Sequence, residues 1–251
     1  MTTKYQNLNV ITLADRQALG AKAAADASAT IKQLLSKKEQ INIIFAAAPS
    51  QSEFLENLKN DDSIEWQRIN AFHMDEYLGL PADSPQGFGN FLKEAIFSHV
   101  SFKSVNYING NAGNVDEERK RYAELLNNNK PDIVFMGIGE NTHLAFNEPF
   151  QADFADPEII KVVTLDAVCR QQQVNDGCFN QIADVPVNAL TLTIPVLIGA
   201  PHIFCMVPGI KKADAVAKTL KAAVSVAYPS TILRDHQDAT LYLDTQSASI
   251  I

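Results

Sequence analysis

The chain has 251 residues, of which 46% are hydrophobic, and a formal charge of −8. That length holds one large domain or two small ones, with enough apolar material for a sizeable core. The negative balance argues against nucleic acid and against anionic membrane as partners, and no apolar run reaches the ~20 residues a membrane helix needs.

Three cysteines, Cys169, Cys178 and Cys205, show no paired or metal-ligand spacing. They read as buried thiols in a reducing compartment. The N-terminal Met-Thr-Thr-Lys-Tyr-Gln-Asn-Leu has no apolar h-region, so no signal peptide is expected. The expectation is a cytoplasmic chain that folds as one domain over 1–251.

Residues 12–38 read as a helix, with Asp15 as its cap. A buried strand follows at 41–48, then the turn Pro49-Ser-Gln-Ser52 and a helix with Glu53 and Glu56 in its first turn. Residues 64–72 read as a second strand, which empties into His73-Met-Asp-Glu-Tyr77. A helix spans 88–100, a turn with a short strand lies at 107–111, and 115–128 is an amphipathic helix with an acidic start. The central strand is 133–136. Beyond Pro149 come an acidic loop, a short strand at 159–164 and a helix at 166–174. An alternating strand follows at 189–194, with Pro195 opening the next helix. The strand 203–207, a helix from Pro208-Gly-Ile-Lys-Lys212 to about 223, and the strand 240–244 complete the series. Strands alternating with helices predict an α/β fold: a doubly wound, mostly parallel sheet with helices on both faces, Rossmann-like. The polar stretch from Phe150 to Gln181 reads as a mobile lid.

The chemistry gathers where strands end. The run Ile133 to Met136 breaks at Gly137 and Gly139, and Asn141, His143 and Glu148 follow at once. Open α/β sheets place their sites at such ends. A lone histidine is more often structural, but a carboxylate five residues on can hold an imidazole in one tautomer and stabilise its charged form. His143 with Glu148 therefore reads as an acid/base pair. Asp75 and Glu76 directly follow another strand, so one of them is expected to be a base. Ser50 and Gln51 precede a helix start, where N–H groups and hydroxyls suit an anion. Lys212 follows a buried strand and a Pro-Gly turn, which makes it a candidate phosphate ligand. One histidine and two acids at irregular spacing are poor zinc chemistry, so no metal is expected.

Phe72-His-Met-Asp-Glu-Tyr-Leu-Gly-Leu-Pro81 and Gly137-Ile-Gly-Glu-Asn-Thr-His-Leu-Ala-Phe-Asn-Glu-Pro149 resemble the two signatures of glucosamine-6-phosphate deaminases. Asn109-Gly-Asn111 and the Lys212 region match that family too, and the resemblance runs from about Ile41 to Asp244. It implies a cofactor-free aldose-to-ketose isomerisation with loss of ammonia. By that analogy His143 opens the sugar ring, held by Glu148 and Asn141, and Asp75 moves a proton from C2 to C1. Ser50, Gln51, Glu76, Arg170 and Lys212 would hold the phosphosugar. The chain departs from the family in three places. Asn141-Thr142 stands where many members have Asp-Gly. The phosphate loop reads Ala48-Pro-Ser-Gln-Ser52 instead of Gly/Thr-rich. Where the family sets an arginine on the phosphate, the register offers Gln173 or Asn175, with Arg170 as the nearest cation. Three other activities stay open: deamination of galactosamine 6-phosphate, lactone hydrolysis as in the related 6-phosphogluconolactonases, and a sugar-phosphate sensor without turnover. Self-association stays open as well.

Overall fold

The computed structural model describes residues 2–251. Strands β1 (Thr2–Tyr5) and β2 (Leu8–Leu13) form an antiparallel hairpin. Helix α1 (Arg16–Leu35) starts at Asp15, whose Oδ1 accepts from the Ala18 N–H at 2.8 Å. The helix expected from residue 12 thus begins later, because residues 8–11 alternate between buried and half-buried positions and open a strand that runs to Leu13.

Next come β3 (Ile41–Phe45), α2 (Ser52–Lys59), β4 (Ile69–His73), β5 (Asp75–Tyr77) and α3 (Phe88–Leu92). They are followed by β6 (Ser104–Asn106), α4 (Val115–Asn128), β7 (Ile133–Met136), β8 (Ile160–Thr164) and α5 (Ala167–Asn175). The chain closes with β9 (Asn188–Leu192), α6 (Ile194–Ile198), β10 (His202–Val207), α7 (Ala213–Lys221) and β11 (Ala239–Asp244).

Eight strands form one sheet in the order β1-β2-β11-β10-β7-β3-β4-β6, parallel throughout except for the β1–β2 hairpin. Its inner strands are buried on both faces, which is why they read as unbroken apolar runs. Ile43, Phe45, Ile133, Phe135, Phe204 and Met206 pack into one core with α1 and α2. Ile44, Val134, Met136, Cys205 and Val207 pack into the other with α4, α6 and α7. No helix among the described residues is long and apolar enough to cross a membrane.

The strand at 189–194 does not join this sheet. β9 lies between β5 and β8 in a separate three-stranded antiparallel sheet, with Asp75 opposite Thr191. The segment after β4 is therefore itself a strand. His73 sets the break between the two: its Nδ1 lies 2.9 Å from the Asp75 carbonyl, and its Nε2 accepts from the Ile108 N–H at 2.9 Å. Full burial holds that imidazole neutral, with its pKa lowered to about 4.

Candidate active site

From the β3–β7 boundary the parallel strands run outward in both directions: to β4 and β6 on one side, to β10 and β11 on the other. Loops leaving neighbouring strands diverge at such a reversal and leave a crevice at the carboxyl ends. A cavity of about 700 Å³ opens there. It is lined by Ala47–Ser50 after β3, Met74 and Asp75 after β4, Gly137–Gly139 after β7, and Pro208–Lys212 after β10. That volume suits a small polar metabolite.

Asp75 lines the cavity while only 7% exposed. Burial, and then the neighbouring charge of Glu76, push its pKa well above the usual carboxylate range. A buried carboxyl of raised basicity is suited to taking a proton from carbon. Glu76 has a different job. Its Oε1 accepts from the Tyr77 and Phe88 N–H groups and its Oε2 from that of Gly89, so it caps the start of α3. It does not line the cavity, which corrects the expectation that it touches substrate. Asn109-Gly110-Asn111 is likewise a support. A Cβ on Gly110 would lie 2.0 Å from the Tyr77 carbonyl, so only glycine lets that loop back onto β5.

The loop after β7 presents His143. Its Nδ1 lies 2.8 Å from Asn141 Oδ1 and 3.0 Å from Glu148 Oε1, which leaves Nε2 free. The ring stands against Gly139, where an added Cβ would come within 2.2 Å of Nε2. Asn141 also donates from Nδ2 to Glu148 Oε2, so one carboxamide bridges imidazole and carboxylate. An aspartate there lacks a donor and would face Glu148 charge to charge. Burial alone would raise the Glu148 pKa. The charge of His143, with the close approach of His143 and Asn141, outweighs it and holds the carboxylate well below its usual range. Thr142 adopts φ 76 and is fully buried, its Oγ1 without a partner. A left-handed backbone costs a β-branched residue on the order of 1–3 kcal/mol. Hydrogen bonds from the Thr142 N–H to Gly139 and from the Ser230 N–H to the Thr142 carbonyl hold it there.

The anion end is assembled differently from expectation. Ser50 and Lys212 line the cavity. Lys212 is 9% exposed, and burial lowers its pKa against the attraction of Asp176 and Glu140. Gln51 lies beneath the lining: its Nε2 donates to the Met206 carbonyl at 3.3 Å and to Ser50 Oγ at 3.1 Å, tying the β3 and β10 loops together. Arg170 is not in the lining. Its guanidinium donates to the Ile182 and Val185 carbonyls and anchors the segment after α5. The end of α5 instead turns Gln172, Gln173 and Asn175 to the cavity, at the register where the sequence offered Gln173 or Asn175. Two residues beside the site were not expected there, although the sequence reads Cys169 as a buried thiol. Arg16 lines the rim but is paired with Glu53. Cys169, buried on α5, brings its Sγ within 4.8 Å of a Glu148 oxygen. No spacing signal marks either, because both arrive from other elements.

A buried carboxyl and a carboxylate-backed imidazole, facing one cavity at the reversal point of an open parallel sheet, define an α/β enzyme for proton transfer on a small polar molecule. Residues 14–242 match the model of the glucosamine-6-phosphate isomerases/6-phosphogluconolactonase family, and the chain belongs to that family. Glucosamine-6-phosphate deaminases of Bacillus thuringiensis (strain Al Hakam) and Bacillus cereus (strain AH820) are each 32% identical to it over 220 residues, 88% of this chain and 82% of theirs. The structure of a monomeric glucosamine-6-phosphate deaminase superposes with a TM-score of 0.86 at 29% identity, covering 96% of this chain and 99% of that one. A 6-phosphogluconolactonase from Thermotoga maritima gives 0.77 at 18% identity, over 94% and 98% of the two chains, a likeness of fold alone.

Proposed function

We propose that the chain converts glucosamine 6-phosphate and water to fructose 6-phosphate and ammonia. The observation that carries this reading is the pairing of two proton-transfer groups in one cavity: His143, backed by Glu148, and a separate buried Asp75. Ring opening and carbon-acid abstraction occur at different atoms of the sugar, so two bases are needed. His143 Nε2 takes the ring-opening proton and Glu148 steadies the imidazolium. Asp75 then moves the proton from C2 to C1 through an enolamine, and water replaces the amine. Ser50 and Lys212 hold the phosphate, whose remote binding supports the reacting end. The 32% identity to deaminases over most of the chain supports the same choice.

The whole chain acts as one domain in this reading, since β5 and β9 join its two halves in one sheet. Unpaired Cys169, Cys178 and Cys205 fit a reducing cytoplasm. Purified protein given glucosamine 6-phosphate should release ammonia and fructose 6-phosphate in equal amounts, read by a coupled assay. Absence of both products sinks the reading. A lactonase needs no base at C2, so lactone hydrolysis that survives Asp75→Asn would put that activity in its place.

A further inference from the structure

Gln51 is 1% exposed and does not line the cavity, yet it bonds a residue that does. It opens α2 without capping it, because its side chain reaches toward β10 instead. There Nε2 donates to the Met206 carbonyl at 3.3 Å and to the Ser50 hydroxyl oxygen at 3.1 Å. The carbonyl can only accept, so it fixes which end of the amide faces it. Turned over, the amide would set its oxygen against the carbonyl oxygen. The observed orientation holds even though it leaves Oε1 buried without a partner among the described residues. Gly137 makes room for the cluster: a Cβ there would lie 3.2 Å from Gln51 Nε2 and 3.4 Å from both Ser50 Oγ and the Met206 oxygen. The ends of β3, β7 and β10 thus meet around one amide.

We propose that Gln51 is a positioning residue that commits the Ser50 hydroxyl to donating its proton into the cavity, toward the anionic end of the ligand. A serine hydroxyl carries one proton and two lone pairs, and a free one turns either toward a ligand. Here the Gln51 amide occupies a lone pair, and both of its own N–H groups are spent on Ser50 and Met206. An N–H donor takes nothing from the hydroxyl, so the Ser50 proton has no acceptor in Gln51. Its open side is the cavity. Accepting a hydrogen bond also polarises the hydroxyl and strengthens it as a donor. An anion arriving there meets a proton already aimed at it and spends little free energy on turning the group. The seat therefore gains a neutral donor beside the ammonium of Lys212, from a loop that lacks the glycines of a phosphate cradle.

The kinetic part of the test rests on the deaminase reading; the binding and diffraction parts do not. Inorganic phosphate is titrated calorimetrically into wild type, Gln51→Met, Ser50→Ala and the double variant. Each single change should weaken phosphate about three- to tenfold, and the double variant should be no weaker than Ser50→Ala, because Gln51 acts through that hydroxyl. With glucosamine 6-phosphate, KM should rise by the same factor while kcat changes less. Losses that multiply in the double variant, or that fall on kcat alone, overturn the proposal. Neutron diffraction from deuterated wild-type crystals reads the device without any substitution. The Ser50 deuteron should point into the cavity, and two deuterons should sit on the Gln51 atom that faces Met206. A Ser50 deuteron aimed at Gln51 overturns the proposal, whether or not the variants fold, and so does a wild type without measurable affinity for phosphate. A wild type that binds phosphate and releases no ammonia counts against the deaminase reading alone.

Discussion

Asp75 sets chemistry against stability. Its folded pKa lies well above its unfolded one, mainly through burial. Below the unfolded value both states are protonated and the buried carboxyl costs little. As the pH rises the unfolded chain ionises first, so stability is lost until the folded pKa is passed. Asp75→Asn should therefore raise the melting temperature at neutral pH, and the gain should vanish towards pH 3. The same change should cut ammonia release by about 10²- to 10⁴-fold. Calorimetry across pH, beside the coupled assay, checks both halves. Asn141 gives a second residue-scale expectation. Its carboxamide accepts from His143 and donates to Glu148, which a carboxylate cannot do. Asn141→Asp sets two acids in contact, and the added negative charge favours the imidazolium. The acidic limb of the rate profile should move up in pH; a limb that stays in place argues that Asn141 does not touch the titrating pair.

At the scale of elements, the turn after β7 is built around missing atoms. Gly139 leaves the space the His143 ring occupies. Gly139→Ala should displace the imidazole and abolish turnover, and a melting scan should show the fold retained at a few degrees lower temperature. Retained turnover would mean that the ring works from another position. β7 and its glycines were legible in the sequence because a doubly buried strand and a glycine break both leave local marks. The same is true of α4, whose observed bounds are those its amphipathic pattern predicts. β5 was not legible: three residues, two of them acidic, carry no strand signal, and only pairing with β9 makes them one. Glu76 and Arg170 misled for a related reason. A charge beside a motif looks like a ligand until the backbone groups it bonds are known. The two ends of the site differ likewise. The candidate catalytic groups sit within one short loop and one strand end, whereas the rim is gathered from α1, α5 and the loop after β10.

For the molecule as a whole, a net charge of −8 repels an anionic sugar phosphate at long range. Attraction has to be local. Arg16 is engaged by Glu53 and Lys211 by the Asn175 carbonyl, so Lys212 is the lining cation whose ammonium makes no hydrogen bond or ion pair among the described residues. Lys212→Met should raise KM for the phosphosugar about tenfold or more while kcat changes less, the pattern of a lost remote contact. Steady-state kinetics at fixed ionic strength gives the answer, and an unchanged KM removes Lys212 from the anion end.

The pairing of Asp75 with Thr191 also has a meaning in time. A chain leaves the ribosome from its N-terminus, and β4 can join β3 early, because their sequence separation is short. The strand bearing Asp75 must then wait, its edge unpaired, until β9 has been made. The pairing that fixes Asp75 is thus made late, with only β10 and β11 of the strands still to follow. A nascent protein that stalls short of β9 would hold the β7-β3-β4-β6 half of its parallel sheet and the loop bearing His143, but not the strand pairing that fixes Asp75.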